Sequence, residues 1–386
     1  MLKTILIIIG LISGVATGYF FLQPKQLQIL THEVEEIVPV MENEKIVLGF
    51  LPYWLLNNAN KDYTPYVNTL AYFALSLEGD GTIQKYTAPG ESEPGWYTLQ
   101  QGKAPAYLKK AKGEGMDLSL VIFSGDEETI AQLLTEPKQH ASNMMKEVLP
   151  LMEEHHFTDL NIDIESVKLA TDDERERFRI FMQEVKDQLD EANAGTLSID
   201  ASPTVFIKSY LVNPETIAPL VDTFVIMGYD YHYQGSSVTG PVAPLGGAES
   251  ISEFDTVTGV RLAVQAMPAE KIVLAIPLYG YEWETLDRFN RAATIPGSGI
   301  TASNRRVEEL IASCDNCRVE KEAEGKESYV VYENTETGTY HQIFYPDEDA
   351  TVEKITLANT YNLGGIGLWA LGYEGDTILN PLKQYK

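Results

Sequence analysis

Two acidic residues lie two positions apart in a stretch that has the pattern of a β-strand. In residues 157–166, three apolar residues alternate with Asn161, Asp163 and Glu165, the period of two expected of a strand. Asp163 and Glu165 then project from one face, roughly 6.6 Å apart along the strand. Burying two carboxylates without partners is costly or keeps one of them protonated. Such perturbed acids point to a functional site, whereas the alternative is a solvated edge strand.

The composition is typical of a globular protein with one large core or two smaller ones. The chain has 386 residues, of which 44% are hydrophobic and 22% charged. Its 56 acidic and 29 basic residues give a formal charge of −27. This charge repels phosphates, so the composition argues against a nucleic-acid partner and favours a neutral or cationic one.

The amino terminus begins with an apolar run long enough to span a bilayer. Residues 4–24 contain no charged side chain. We expect an uncleaved membrane anchor over residues 1–24, with a cleaved signal peptide ending near Ala16-Thr17-Gly18 as the alternative. Residues 25–44 predict an unpatterned stalk. The remaining residues, 45–386, are expected outside the cytoplasm at the cell membrane, or secreted if the signal is cleaved.

Beyond the stalk, short apolar runs alternate with helical segments, which is typical of βα units around a parallel sheet. The clearest helix is Thr171–Ala194, which Thr171 and Glu174 open with a capping box and Gly195 ends. Other predicted helices are His140–His155, Val257–Met267 and Ala350–Tyr361. The predicted strands are Ile46–Leu51, Leu70–Ser76, Leu118–Ser124, Asp159–Glu165, Leu197–Ser202, Phe224–Tyr229, Ile272–Pro277 and Gly365–Trp369. Eight such units predict an α/β fold, a (β/α)8 TIM barrel.

Residues 284–346 interrupt this pattern after the seventh strand. Within them, Tyr329–Asn334 and Thr339–Tyr345 flank a turn, which predicts a hairpin. We expect a small α+β insertion here. Connections of this kind line the catalytic mouth of a barrel, so the insertion is predicted to form one wall of a cleft. The alternative is a structural hairpin without ligand contacts.

Several candidate residues fall at the carboxyl ends of predicted strands, where barrel enzymes gather their catalytic groups. Glu165 ends the fourth strand, Tyr229 and Asp230 end the sixth, and Trp369 ends the eighth. The carboxyl ends of the strands of a barrel meet on one face. The sequence therefore predicts one functional site on that face.

The same stretches resemble glycoside hydrolase family 18, the chitinases and related enzymes. The family pattern D-G-x-D-x-D-x-E is similar to residues 158–165, and Asp163 and Glu165 occupy its last two acidic positions. Thr158 and Asp159 replace its Asp-Gly, and Asn161 replaces an Asp. This last departure removes a carboxylate that would share a proton with Asp163, so we expect the acids to titrate differently.

Further segments resemble the family in the same order, over roughly residues 46–373. They are Met227-Gly228-Tyr229-Asp230, which is similar to its M-x-Y-D motif, then Gly240–Leu245, Lys271–Gly280 and Gly364–Trp369. The S-x-G-G pattern of the third strand is reduced to Ser124-Gly125. Each segment alone is a weak signal, but their common order makes the resemblance specific.

The resemblance implies an exported hydrolase of β-linked N-acetylglucosamine-containing polymers, with Glu165 as proton donor. Asp163 and Glu165 approach from one side, so Asp163 is poorly placed as a nucleophile. Substrate assistance, in which the sugar's acetamide attacks its own anomeric carbon with retention, removes this difficulty. Glu165 would protonate the leaving oxygen and activate water, while anionic Asp163 would orient the acetamide and stabilise its developing charge.

The other site residues follow from the same resemblance. Tyr229 is expected to donate a hydrogen bond to the acetamide, Asp230 to make a supporting polar contact, and Trp369 to offer its indole face to the sugar. Asn161 is placed with the catalytic residues because of its position in the motif. The remaining predicted substrate-binding residues, for which core packing is the alternative, are Met227, Tyr53, Trp54 and Trp283.

Cys314 and Cys317, the two cysteines of the chain, are predicted to form a disulfide, as suits an exported protein, with free thiols as the alternative. A zinc site normally needs four ligands, and the six histidines show no metal spacing. We therefore predict neither a metal nor a cofactor.

Three other functions stay open on the sequence. A catalytically silent sugar-binding protein can use the same barrel, although Glu165, whose loss would mark it, is present. A metal-dependent hydrolase could use Asp159, Asp163 and Glu165, and a structural surface protein would bind no sugar. The polymer also stays open among chitin, the glycan of peptidoglycan and the core of N-linked glycans.

Overall fold

The structure, a computed structural model, describes residues 44–385, in which eight parallel strands close into a barrel in chain order. Every predicted strand is present, with boundaries within two residues of the prediction. The barrel strands, one to eight, are Ile46–Pro52, Thr69–Ser76, Asp117–Ser124, Asp159–Ile164, Thr196–Ala201, Thr223–Met227, Ile272–Pro277 and Gly365–Trp369. Most of their residues are buried, since helices cover the outside of the barrel and side chains fill the inside. The predicted (β/α)8 barrel is confirmed.

Most of the helices lie between the barrel strands. Helix Asp172–Glu191 begins with the predicted capping box at Thr171 and Glu174. It ends at Glu191 rather than Ala194, and the chain turns at Asn193, which has a φ of 48°. The other helices are Pro94–Gln101, Ala104–Gly113, Glu127–Leu133, Pro137–His155, Pro214–Ile217, Thr256–Ala266, Asn304–Ser313 and Glu348–Thr360, with short 3-10 turns at Tyr53–Leu55, Pro203–Phe206, Ala269–Lys271 and Asn380–Gln384.

The insertion after strand seven contains a five-stranded sheet. Its predicted hairpin is present as Ser328–Asn334 paired antiparallel with Thr339–Tyr345. The sheet starts at Tyr279, before the predicted start at residue 284, because only Leu278 separates strand seven from the next buried strand and no change of pattern marks the boundary. The strand order is Ile300–Ser303, Tyr279–Thr285, Thr339–Tyr345, Ser328–Asn334 and Arg318–Lys321. A separate two-stranded sheet joins Tyr86–Ala88 and Glu91–Ser92.

A buried carboxylate of the insertion fastens the long loop that follows barrel strand six. Glu327 is fully buried and accepts hydrogen bonds from the backbone N–H groups of Val242 and Ala243, both at 2.8 Å. Lys354 is also buried and donates to the carbonyl oxygen of Ala243. These contacts tie the insertion and the last helix to the loop that carries Tyr229 and its neighbours.

The predictions for the amino-terminal segment fall almost entirely outside the residues that the structure describes. The predicted anchor, residues 1–24, and all but the last residue of the stalk are outside the described residues. From residue 44 to residue 385, no helix has the length and apolar character needed to cross a membrane.

Cys314 and Cys317 are joined by a disulfide directly after helix Asn304–Ser313.

Candidate active site

Asp163 lies beside a second buried acid, Asp200, at the carboxyl ends of strands four and five. The ladder pairs Ile162 with Ile199, so Asp163 and Asp200 are the next neighbours on adjacent strands. The backbones of such strands lie roughly 4.8 Å apart. Asp163 is 2% exposed and Asp200 is 4% exposed. The register therefore brings two carboxyl groups together inside the barrel.

Burial in this position favours the protonated forms. Burial raises the pKa of Asp163 well above its ordinary value, and the charges of Glu165 and Asp200 raise it further. Burial likewise raises the pKa of Asp200 to about 8, although a hydrogen bond from Asn161 works in the opposite direction. Two adjacent buried carboxyls resist carrying two negative charges at once.

Asn161 lies deeper in the barrel than Asp163 and acts on the acids rather than on the cleft. Its side-chain amide donates to Asp200 Oδ1 at 2.9 Å and to Ser198 Oγ at 3.0 Å. Asp159, at the start of the strand, accepts from Ser198 Oγ at 2.7 Å. Asn161 does not line the cleft cavity. Asn161, predicted as catalytic, therefore contacts Asp200 and not the cavity.

Glu165 stands directly after strand four at the mouth of the barrel. Its backbone N–H donates to the carbonyl oxygen of Ser124 at 2.9 Å, while its side chain is exposed to the cleft. The protein around the cleft raises the pKa of Glu165 by partial desolvation, and the charge of Asp230 adds to this rise. A carboxyl that keeps its proton to higher pH suits a general acid.

The loop after Glu165 is held by a carboxylate from the neighbouring βα unit. Glu127 Oε1 accepts a hydrogen bond from the backbone N–H of Val167 at 2.9 Å. The same carboxylate accepts from Ser166 Oγ at 3.1 and 3.2 Å. Because these bonds fix the two residues that follow Glu165, they limit the positions open to its side chain.

Aromatic rings form the floor of the cleft. The rings of Tyr229 and Trp369 are stacked, with centroids 6.5 Å apart and an interplanar angle of 15°. Phe73 meets Trp369 edge-on at 4.7 Å, and Trp54 meets Phe73 edge-on at 5.8 Å. These contacts hold the partly buried indole of Trp369 in one orientation at the end of strand eight.

Asp230 is positioned by the insertion. It has a left-handed φ of 60°, which Asp tolerates better than most residues. Its Oδ1 accepts from the hydroxyls of Tyr279 at 2.5 Å and Tyr281 at 3.1 Å. Burial raises the pKa of Asp230, and these two hydrogen bonds lower it. Neither tyrosine lines the cleft cavity, so in the described residues these two side chains of the insertion support the cleft through Asp230.

The cleft is a cavity of about 370 Å3 that collects most of the predicted site residues. Asn161 and Trp283 are the exceptions, and Trp283 lies inside the insertion sheet. It is 1% exposed, its ring packs against Tyr281 and Phe344, and its Nε1 donates to the carbonyl oxygen of Tyr233. This placement favours core packing, the alternative to sugar binding, for Trp283. The predicted residues that do line the cavity are Tyr53, Trp54, Asp163, Glu165, Met227, Tyr229, Asp230 and Trp369.

A family model for glycosyl hydrolases family 18 matches residues 40–374. The chain belongs to this family. A cortical fragment-lytic enzyme of Bacillus anthracis is 23% identical over 324 residues, which cover 82% of this chain and 67% of that protein. A class V chitinase of Arabidopsis thaliana is 28% identical over 179 residues, which cover 45% of each protein. The resemblance found in the sequence is confirmed, and the protein is a glycoside hydrolase.

Solved structures show the same fold at low sequence identity. The Bacillus cereus spore cortex-lytic enzyme superposes with a TM-score of 0.69 at 20% identity, covering 89% of this chain and 74% of that one. Ostrinia furnacalis Group IV chitinase, solved with allosamidin, gives 0.73 at 19% identity and covers 88% and 98%. At this sequence identity, the structural likeness supports the barrel fold of the chain and assigns no substrate or residue role.

Two acidic residues that line the cleft, Asp200 and Glu93, were not predicted from the sequence. Asp200 follows Ser198 and precedes Ser202, and this alternation of polar residues on a predicted strand could have marked an inward-facing row. Glu93 is 5% exposed, lines the cavity, and accepts from the backbone N–H of Trp96 at 2.6 Å. Its place before Pro94 is compatible with a helix start but carries no signal of a binding site.

Proposed function

We propose that the family 18 chain hydrolyses β-linked N-acetylglucosamine-containing glycans, such as chitin or the glycan of peptidoglycan, by substrate-assisted catalysis with retention. The observation that carries this proposal is the placement of Asp163 and Glu165 on one strand end, within one cavity that Trp369 also lines. Both acids approach a sugar from the same side, so neither can act as a nucleophile opposite the other. The acetamide of the substrate supplies the missing nucleophile, as is documented for this family.

The first step is protonation of the leaving oxygen by Glu165 while the acetamide oxygen attacks the anomeric carbon. The bond to the leaving sugar breaks, and a cyclic oxazolinium ion forms. Asp163, as a carboxylate, stabilises the positive charge of this ion, while Asp200 keeps its proton. Asp163 Oδ1 is buried and has no hydrogen-bond partner between residues 44 and 385, which supports a role in meeting the acetamide N–H.

Glu165 then acts as a general base in the second step. Its carboxylate takes a proton from water, the water oxygen attacks the anomeric carbon, and the ring of the intermediate opens to restore the acetamide. The two inversions give a product with the β configuration. Tyr229 and Asp230 border the same cavity and are proposed to hold the acetamide, while Met227, Tyr53 and Trp54 are proposed to contact the sugar.

Incubation of the protein with chitin oligomers and purified peptidoglycan, followed by mass analysis, tests the substrate class. We expect Glu165→Gln to lower kcat about a hundred- to ten-thousandfold while sugar binding persists. Glu154→Gln makes the same change at an exposed position on an outer helix and should leave kcat unaltered. Near-normal turnover of Glu165→Gln would refute its assignment, and binding without hydrolysis by the unaltered chain would favour a silent sugar-binding protein.

A second substrate pair tests the mechanism. A substrate in which a hydroxyl replaces the acetamide should bind but hardly react, since it lacks the attacking group. A stable thiazoline analogue of the cyclised intermediate should inhibit competitively, and NMR at early times should show the β product first. Rapid cleavage of the hydroxyl substrate, or an inverted product, would contradict substrate assistance.

We also propose that the catalytic barrel is exported and held at the membrane by residues 1–24. The uncharged run over residues 4–24 supports this, and the disulfide between Cys314 and Cys317 is of a kind favoured outside the cytoplasm. The full chain should stay with membranes in high salt, because burial rather than charge would hold it. A soluble form with a new amino terminus near Gly18 would show a cleaved signal instead.

A further inference from the structure

A second cavity, of about 270 Å3, adjoins the cleft on the other side of Glu165. Glu165, Asp200 and Met227 line both cavities, whereas Trp369 and Tyr229 line only the first. We call the second cavity the acceptor pocket. Its remaining walls come from the end of strand four and from the residues after strands four and five, and include Ile164, Ser202, Thr204, Val205, Leu211 and Val212.

The position of this pocket matches that of the leaving sugar. Under the proposed function, Glu165 protonates the oxygen that joins two sugars, and the sugar that is attacked lies in the cavity of Trp369. The leaving sugar must then lie on the other side of Glu165, where the acceptor pocket opens. In a β-1,4-linked glycan the protonated oxygen is O4 of the leaving sugar, so the substituent on the adjacent C3 comes close to Glu165 and to the pocket walls.

The walls of the pocket are held together by the backbone. The N–H of Ala170, in the loop after strand four, donates to the carbonyl oxygen of Ser209, in the loop after strand five, at 2.8 Å. The Ser202 and Thr204 hydroxyls are also hydrogen-bonded to each other at 2.8 Å. These contacts, with those of Glu127 to the first loop, give the pocket a fixed shape before any sugar binds.

The chemistry of the pocket suits a neutral group. Val205, Leu211 and Val212 are each less than 9% exposed and supply an apolar surface. Glu165 and Asp200 border the pocket, and in the described part of the chain none of its lining residues is Lys, Arg or His. Lys168, which is close in sequence, is instead 3.7 Å from the carboxylate of Glu127 and points largely to solvent. A carboxylate in this pocket would meet two acids and no cation.

We propose that the acceptor pocket selects leaving sugars whose 3-O substituent is uncharged, either a free hydroxyl or an amide-capped lactyl ether, and rejects a lactyl ether with a free carboxylate. This inference rests on the proposed function and adds the class of leaving group to it. The apolar wall contacts the methyl and the carbon chain of the substituent, and the hydroxyls of Ser202 and Thr204 bind its amide. Rejection of the charged form comes from the loss of hydration that its carboxylate would suffer in a pocket that offers no cation.

Two tetrasaccharides test the selection with the full chain. They differ only in the lactyl group of the leaving sugar, which carries a free carboxylate in one and an N-methylamide in the other. We expect kcat/KM for the amide to exceed that for the carboxylate at least about tenfold. A chitin tetramer run in parallel reports the proposed function separately. Cleavage of chitin with equal rates on the two lactyl substrates, or with neither cleaved, would overturn the inference.

A cation added to the rim should reverse part of the selection. Val167 lines the pocket and is 81% exposed, so Val167→Lys adds a positive charge without disturbing the core. We expect it to raise kcat/KM for the carboxylate substrate about two- to fivefold relative to kcat/KM for the amide substrate. Val352→Lys makes the same change at a 47% exposed position on helix Glu348–Thr360 and should not alter the ratio. An equal ratio in all three proteins would contradict the role of charge.

Discussion

Replacing Asp200 with Asn should remove the titration that the two buried acids share. Asp163 and Asp200 are both almost fully buried, and they follow a ladder pair on adjacent strands. Asparagine has nearly the same shape as aspartate and carries no charge. The change therefore tests the interaction between the two carboxyl groups without opening a cavity in the barrel.

The size of the effect follows from the distance between the strands. Two unit charges about 5 Å apart, at an effective dielectric constant of about 20, repel by about 3 kcal/mol, or about 2 pH units. Burial, and after it the charges of Glu165 and Asp159, raise the pKa of Asp200 to about 8, compared with about 3.9 in an unfolded chain. Between these two values the folded protein binds more protons than the unfolded chain, so its stability falls as pH rises.

Urea unfolding between pH 5 and 8 measures this slope. The unaltered protein should lose up to about 1.4 kcal/mol of unfolding free energy per pH unit from this group, and Asp200→Asn should lose correspondingly less. Asp187→Asn, on the exposed face of helix Asp172–Glu191, serves as the matched control and should keep the full slope. If the unfolding free energies of Asp200→Asn and the unaltered protein changed in parallel with pH, the raised pKa of Asp200 would be refuted.

Three further changes test how the neighbouring residues position the site. Glu127→Ala should lower kcat about tenfold with little change in KM, because it frees the loop after the catalytic acid, and Glu127→Gln should restore part of the loss. Asn161→Asp should lower activity by adding a buried acid, and combining it with Asp200→Asn should recover activity, as enzyme assays of the single and double variants would show. Lys354→Met should destabilise the fold by about 3 kcal/mol in urea unfolding, since it leaves Glu327 buried without its cation. Equal stability of Lys354→Met, no loss of kcat in Glu127→Ala, or no recovery in the double variant would contradict the respective argument.

The barrel could be predicted from the sequence because its strands are covered on both sides. Strands such as Ile272–Pro277 are buried along their whole length and appear as unbroken apolar runs between helices with recognisable ends. The start of the insertion could not be placed in the same way. Strand Tyr279–Thr285 is also buried almost throughout and follows strand seven after a single residue, so nothing in the local pattern separates the two sheets.

The site was predictable where it depends on spacing within one strand and not where it depends on register between strands. Asp163 and Glu165 are two residues apart, so their common face follows from the period of a strand. The neighbour of Asp163 across the barrel depends instead on how strands four and five are aligned. For Trp283, the side-chain type alone suggested a contact with sugar. Its side chain is instead packed inside the insertion sheet, which the sequence does not reveal.

Asp200 also explains how the departure at position 161 fits the family 18 cleft. An acid at this position would lie beside Asp163 and Asp200, and three buried carboxyls would have no cation among the described residues that line the cleft. Asn161 instead donates a hydrogen bond to Asp200 Oδ1 and adds no charge to the pair. The family motif covers one strand only, so Asn161 counts there as a missing carboxylate. A second carboxyl is nevertheless present, on Asp200 of the adjacent strand.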